Sequence, residues 1–314
     1  MKIALISHKL PPSGAGQAVI IYRMFETLKA DSYCLISPES HDEENPSVGN
    51  TRKLAGKYYH LPPASRLKGG HRFGLRYVRD SINLLIAIRQ NARRVTEIVS
   101  REGSGAIVAC TGDVTHLPAA YLASRRTGIP FHAYVFDHYS YREWYDSTAA
   151  FWARRIESFL MKRAATVITP NEILRDDLHD RFGVEPVVIH NSLDISSYEA
   201  NGQTPSSARD GEIKIVYTGE IYDAHYDAFR NLVAALKVLG RPEIKLHIYS
   251  SRPAAELNAL GIDGPVVHHP EQLASEMPRI QMDADLLFLP LAFDSPYPEL
   301  VRTSSTTKMG EYLA

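Results

Sequence analysis

The residues with the most chemical reach lie in one stretch, Thr303-Ser304-Ser305-Thr306-Thr307-Lys308-Met309-Gly310-Glu311-Tyr312-Leu313-Ala314. It follows a strongly apolar segment, Asp285 to Leu291, and a Pro-broken loop from Phe293 to Pro298. That succession predicts a buried parallel strand, a loop at its carboxyl end, and a helix starting near Ser304 or Ser305. A helix N-terminus at such a place offers unpaired N–H groups and the positive end of a dipole, which suit phosphate. The hydroxyls of Ser304, Ser305, Thr306 and Thr307 add donors, and Lys308 adds a point charge. Glu311 lies one turn beyond Thr307 and Lys308, so it shares their face and can accept hydrogen bonds from sugar hydroxyls. The same residues would also serve a plain Ser/Thr-capped helix with a surface lysine and glutamate.

Other candidate groups stand at predicted strand ends. Asp137 and His138 close the strand Phe131 to Phe136, with Tyr139, Tyr141 and Trp144 after them. A polar pair there would orient an acceptor hydroxyl while the rings pack on sugar or lipid; alternatively the pair only caps the next helix. His8 ends the first strand and leads into a loop with Gly14 and Gly16. His116, His179 and His247 read as surface or core. His268 and His269 follow a short strand; adjacent strand residues point to opposite faces, which argues against a zinc pair. Asp283-Ala284-Asp285 has a metal-motif spacing but sits where a helix meets a buried strand, so it reads as structural. No metal is expected. Cys34 and Cys110 lie in apolar runs and read as reduced core residues of a cytosolic protein.

Two sets of alternating elements must position these groups. The first runs from the strand Lys2 to Ser7 through helix 17–29, strands 32–36 and 58–61, a long helix 74–101, strand 106–110, helix 114–126, strand 131–136, helix 148–163, strand 166–169 and strand 185–190. Strict alternation of this kind predicts a doubly wound parallel sheet. Residues 196–212, rich in Gly, Pro and Ser, predict a linker between a domain at 1–195 and a second at 213–314. The second alternation comprises strand 213–219, helix 226–239, strand 245–249, helix 254–260, strand 266–267, helix 271–283 and strand 285–291. At 314 residues two domains are expected. Lys+Arg 35 against Asp+Glu 36 leaves a net charge of −1, so no global field invites nucleic acid. There is no signal-peptide pattern and no membrane-span pattern.

Five short motifs occur in order. They are the opening strand with Gly14-Ala15-Gly16; Ile168-Thr169-Pro170-Asn171; Val188-Ile189-His190-Asn191-Ser192-Leu193-Asp194; Val216-Tyr217-Thr218-Gly219-Glu220; and Ala284-Asp285-Leu286-Leu287-Phe288-Leu289-Pro290 followed by Thr307-Lys308-Met309-Gly310-Glu311-Tyr312-Leu313-Ala314. In this order they resemble the retaining nucleotide-sugar glycosyltransferases of the GT-B fold, the broad family-4 class. The resemblance implies two Rossmann-like parallel-sheet domains facing across a cleft. It implies a hexosyltransferase-like enzyme that moves a sugar from a nucleotide-diphosphate sugar to an acceptor hydroxyl, in cell-surface polysaccharide or glycolipid assembly. The acceptor would be a carbohydrate or a lipid-linked sugar. No cofactor is implied beyond the nucleotide sugar as co-substrate. Glu311 would bind the ribose, Ser304, Thr306, Thr307 and Lys308 would surround the pyrophosphate, Gly219, Glu220 and Tyr222 would close over the phosphates, and His268 would touch the base. The acceptor side would use Asp137, His138, His8, Gly14 and Gly16.

Three departures from the pattern stand out. The residue eight before Glu311 is Thr303 rather than an acid, with Glu299 as the nearby substitute. The turn from Glu220 to Asp227 carries no Arg or Lys, which leaves neutralisation to Lys308, Arg302 and the helix dipole. The chain also ends inside its expected donor helix, as a fragment of a longer second domain would. Rival readings are a nucleotide-sugar epimerase on the same fold and a non-catalytic sugar-nucleotide-binding scaffold. A dehydrogenase lacks support, because the Gly14-Ala15-Gly16 loop has no third glycine.

Between Thr51 and Arg94 lie Arg52, Lys53, Lys57, Arg66, Lys68, Arg72, Arg76, Arg79, Arg89, Arg93 and Arg94, opposed by Asp80 alone. Apolar Leu75, Val78, Ile82, Leu85, Ile86 and Ile88 are interleaved. This predicts either a basic amphipathic face for an anionic membrane, placing a cytoplasmic protein at the inner membrane face, or a solvated helix packed on the sheet.

Overall fold

The computed structural model describes residues 1–39, 53–69, 75–140, 146–199, 211–295 and 297–314. Arg52, Arg72, Tyr141, Trp144 and linker residues 200–210 lie outside the described residues. The chain divides into two compact units, one built on residues 1–46, 52–191 and 302–305, the other on 192–301 and 306–314.

The first unit alternates β1 (Ile3–Ile6), α1 (Gly16–Phe25), β2 (Tyr33–Ser37), β3 (Lys57–His60), α2 (Arg76–Glu102), β4 (Ala106–Cys110), α3 (His116–Thr127), β5 (Phe131–Tyr134), α4 (Ser147–Arg163), β6 (Thr166–Thr169), α5 (Glu172–Phe182) and β7 (Val187–Val188). Its seven strands are parallel, in the order β3-β2-β1-β4-β5-β6-β7. Because successive strand residues face opposite ways, each strand feeds two cores. Ala4, Ile6, Cys34, Ile36, Ile107 and Ala133 meet α2, α3, α4 and α5 through Val95, Ala120, Leu160 and Leu174. Leu5, Tyr33, Leu35, Cys110 and Tyr134 meet α1 through Ile20, Ile21 and Phe25.

One carboxylate ties the start of this sheet together. Glu102, at the end of α2, accepts from Lys2, from Tyr59 and, at 3.1 Å, from Lys57. These partners, Lys2 first, hold its carboxyl down at about 2. Its stabilisation is therefore present above the ordinary carboxylate pKa and is lost as pH falls towards 2.

The second unit carries α6 (Ser196–Glu199), β8 (Ile213–Thr218), α7 (Asp223–Leu239), β9 (Ile244–Tyr249), α8 (Ala254–Ala259), β10 (Val266–His269), α9 (Met277–Met282), β11 (Leu286–Leu287), α10 (Pro298–Thr303) and α11 (Thr307–Leu313). Its parallel sheet has the order β10-β9-β8-β11. Tyr217, Phe229, Val233, Leu246 and Ile248 fill its core.

Two expectations are corrected here. The strand over 285–291 pairs on one side only, with β8, so it is an edge rather than a buried element, and Leu286 is 58% exposed. The terminal helix does not begin at Ser304 or Ser305. A short helix, α10, ends at Thr303, residues 304–306 are a connector, and α11 begins at Thr307. Asn171 and Asn191 hold that connector in the first unit, donating to the carbonyl oxygens of Thr303 (3.0 Å) and Ser305 (2.9 Å). Among the described residues no helix is long and apolar enough to cross a membrane.

Candidate functional site

The second unit builds a seat at the carboxyl end of β8. Gly219 continues the ladder, donating to Tyr249 O at 2.8 Å, and then turns with φ +117°. That conformation favours glycine, and the space demands it as well. A Cβ on Gly219 would lie 2.9 Å from both Cε and Nζ of Lys308. The chain of Lys308 therefore lies across the Gly219 turn, with Nζ 5.4 Å from the centre of the Tyr217 ring. Among the described residues the Lys308 ammonium forms no hydrogen bond or ion pair. Burial lowers its pKa from the ordinary lysine range, while Glu311 and Glu220 pull the other way. The ammonium also acts on its neighbour. Burial first, and Lys308 second, push His225 down to about 4.

The remaining residues expected around a nucleotide sit as follows. Thr306 caps α11, its hydroxyl accepting from Lys308 N at 3.3 Å, and Thr307 opens the helix. Glu311 accepts from Gln281 Nε2 at 3.3 Å. Glu220 accepts a hydrogen bond from the Ser251 hydroxyl, and Tyr217 donates to its carbonyl. Tyr222 is exposed and lies against the His225 ring at 4.0 Å. His268 and His269 diverge. His269 stacks on Tyr249 at 4.2 Å and meets His247 at 2.9 Å, with Glu212 beyond at 3.0 Å. His268 keeps a buried Nδ1 without a hydrogen-bond partner. Ser304 belongs to the first unit, with Arg302, whose guanidinium pairs with Asp177 there. Glu299 stands in the first turn of α10.

In the first unit the strand order reverses between β1 and β4, and a parallel sheet opens a crevice at such a point, beyond its strand ends. His8 enters it from β1, and Asp113 and His116 enter from β4 and the start of α3. Their ligand-type atoms all lie within 4.8 Å of one another. Asp113 accepts from Thr115 N at 2.7 Å and from its hydroxyl at 2.5 Å, and Asn91 fixes that hydroxyl at 2.9 Å. Burial works against the Asp113 charge, but His116 and the Thr115 hydrogen bonds outweigh it and hold the carboxyl low. Burial, opposed by Asp113, lowers His116 and keeps it neutral near physiological pH. His116 Nε2 is 3.9 Å from Asp113. The Nδ1 atoms of His8 and His116 are both buried without a hydrogen-bond partner. Orphans of this kind mark a site that meets a ligand, a water or an ion. Two imidazoles and a carboxylate also form a donor set that zinc accepts. Neither Gly14 nor Gly16 has a positive φ, and a methyl group on Gly16 would meet nothing within 4 Å. Those glycines do not force a turn.

The Asp137–His138 expectation fares differently. His138 is 1% exposed, and its Nδ1 is taken by Arg181 at 2.9 Å. Arg181 also binds Glu157 at 2.8 Å, Ser140 binds Glu157 at 2.5 Å, and Asp177 lies 3.6 Å from His138 Nε2. The ring thus ties the end of β5 to α4 and α5, and His138 is a member of this buried network. Asp137, half-buried, directly precedes it. The sequence reading missed Asp113 and His116. Their signal was an Asp and a His three apart at the end of a strand adjacent to β1, visible only once the strand order is known.

Residues 15–192, more than half of the chain, match the glycosyl transferase 4-like domain. No curated protein sequence matches the chain significantly. Solved structures share the fold. A glycosyltransferase from Rickettsia africae has a TM-score of 0.58 at 12% identity, over 91% of this chain and 72% of that one. HepE of Anabaena, in complex with UDP-glucose, has a TM-score of 0.58 at 14% identity, over 91% and 73%. MnaA of S. aureus with UDP has 0.51 at 10%, over the same shares. The two parallel sheets are those of the GT-B architecture, and the chain belongs to the glycosyl transferase 4-like domain family.

Proposed function

We propose that the chain transfers a sugar from a nucleoside-diphosphate sugar to an alcohol, with the second unit holding the donor and the first supplying the acceptor-side groups. The observation that carries this reading is Lys308, a half-buried ammonium over the Gly219 turn with no anionic partner in hydrogen-bond reach among the described residues. A diphosphate supplies that anion. Thr306 and Thr307 add donors. Glu311 accepts from the ribose hydroxyls, Glu220 and Tyr222 flank the phosphates, and His268 Nδ1 faces the base. As the bond from the sugar's anomeric carbon to the diphosphate breaks, its electrons pass to the phosphate oxygen, and Lys308 stabilises the charge that develops there. The acceptor oxygen bonds to the same carbon, and its proton passes to His8, which stands beside Asp113.

The resemblance adds finer expectations: retention at the anomeric carbon, independence from metal, a hexosyl group, and a carbohydrate or lipid-linked acceptor in cell-surface assembly at the inner membrane face. Product NMR tests the first of these, and activity that survives EDTA tests the second. The first experiment is a thermal shift with UDP and UDP-sugars, since a ligand bound only by the folded state raises Tm. UDP is chosen because the solved neighbours hold it. No shift with any nucleoside diphosphate ends the proposal. A UDP-N-acetylglucosamine 2-epimerase from Listeria monocytogenes shares the fold at a TM-score of 0.50, 12% identity, over 91% of this chain and 73% of that one. Conversion of the donor to an epimer without consumption of acceptor would favour that second reading, and binding without turnover would favour a scaffold.

A further inference from the structure

We infer that the outward face of α2 and α4 in the first unit docks on an anionic phospholipid bilayer, with the groove between the two helices receiving hydrocarbon. The groove has a volume of about 610 Å³ and is lined by Tyr77, Val78, Ile82, Leu85 and Phe151, with Ser81, Ser147 and Thr148. Three of its hydroxyls are already engaged. The Tyr77 hydroxyl bonds Ser147 at 3.0 Å, and Trp152 Nε1 bonds Ser81 at 2.8 Å. What remains is an apolar wall open to solvent, with Tyr77 57% and Val78 55% exposed. Large exposed apolar groups in one patch mark a contact surface.

Charge identifies the occupant. Along α2 the outward stripe Val78, Ile82, Leu85 continues into Arg89 and Arg93, and Arg76 stands at its start. On α4 the guanidinium of Arg155 lies 4.9 Å from the Phe151 ring centre, and that of Arg163 lies 5.5 Å from Phe159. Each arginine covers a ring with its flat face and leaves its N–H groups for phosphate. The acids on the outward side of α2 are spent. Asp80 pairs with Arg76 and Arg79, and Glu97 faces Arg94. An apolar floor rimmed by arginines matches an anionic interface, where rings and aliphatic chains enter the acyl boundary while the cations stay at the headgroups. The basic residues before α2 are not needed for this face.

The full chain is tested by co-sedimentation with vesicles of phosphatidylcholine alone and of equimolar phosphatidylcholine and phosphatidylglycerol. Binding is expected to the anionic vesicles only. Each interfacial arginine is worth about 1 kcal/mol, so Arg155→Gln with Arg163→Gln should weaken binding about 30-fold. Ile82→Ser should weaken it about tenfold. Both variants should keep the wild-type Tm and the UDP-induced shift, which excludes misfolding. Equal binding to both vesicles, or none, overturns the inference. So does a doubled mass in light scattering that Ile82→Ser abolishes, since the face would then be a protein interface. Failure of the UDP shift with vesicle binding intact would sink the transferase reading alone.

Discussion

His138 and the pair His8–His116 are all associated with strand ends of one sheet, and the differences between them are instructive. The Nδ1 of His138 is engaged by Arg181, and through it the ring joins Glu157, Ser140 and Asp177. The Nδ1 atoms of His8 and His116 have no hydrogen-bond partner among the described residues. Burial with a partner fixes helices to a sheet. Burial without one keeps hydrogen-bonding capacity in reserve for something that arrives. Lys308 in the second unit belongs to the reserved kind.

The comparison is sharpest for catalysis. His8→Ala should lower kcat by about a thousandfold with Tm unchanged, the scale of a lost general base, whereas His138→Ala should lower Tm first. If His8→Ala unfolds the protein and keeps its specific activity, the distinction collapses. On the occupied side, Glu157→Ala removes the buried carboxylate from Arg181, which keeps Asp177, and should cost about 3 kcal/mol in urea unfolding. A cost within measurement error would show that the network carries no load. Lys308→Met should weaken UDP binding by about 2 kcal/mol, roughly thirtyfold, because it removes one charge-assisted contact while keeping the apolar stem. Calorimetry reads this directly, and unchanged affinity would move the diphosphate elsewhere. The smallest effect is on His225. Its folded pKa, about 4, lies below the unfolded value, so it contributes stability that is full above that unfolded value and is lost as pH falls towards 4. In Lys308→Met its NMR titration should move upward, while burial, the larger cause, keeps it below the ordinary histidine value.

Much of the architecture was legible because its signals are local. Alternating apolar runs and helical stripes placed the strands and helices of the first unit to within a few residues, and Gly219 announced its turn. The terminal helix was read three residues early because Ser304 and Ser305 are good caps in isolation. Asn171 and Asn191, remote in sequence, engage the backbone of that connector instead. That Arg181 turns inward from α5 to meet His138 is a long-range fact with no local mark. The His8–Asp113–His116 convergence depends on which strands are neighbours, and composition does not carry that.

One buried amide bridges three elements of the second unit. Gln281 donates to Thr218 Oγ1 at 3.2 Å and to Glu311 at 3.3 Å, and its own oxygen accepts from Tyr198 at 2.8 Å. A primary amide has two hydrogens, and both are in use. A ribose that claims the Glu311 carboxylate must draw on the same oxygens, and the amide transmits that tug to the strand end on one side and to the short α6 on the other. If the proposed donor site takes a ribose at Glu311, the glutamine links that event to Thr218 on one side and to Tyr198 on the other.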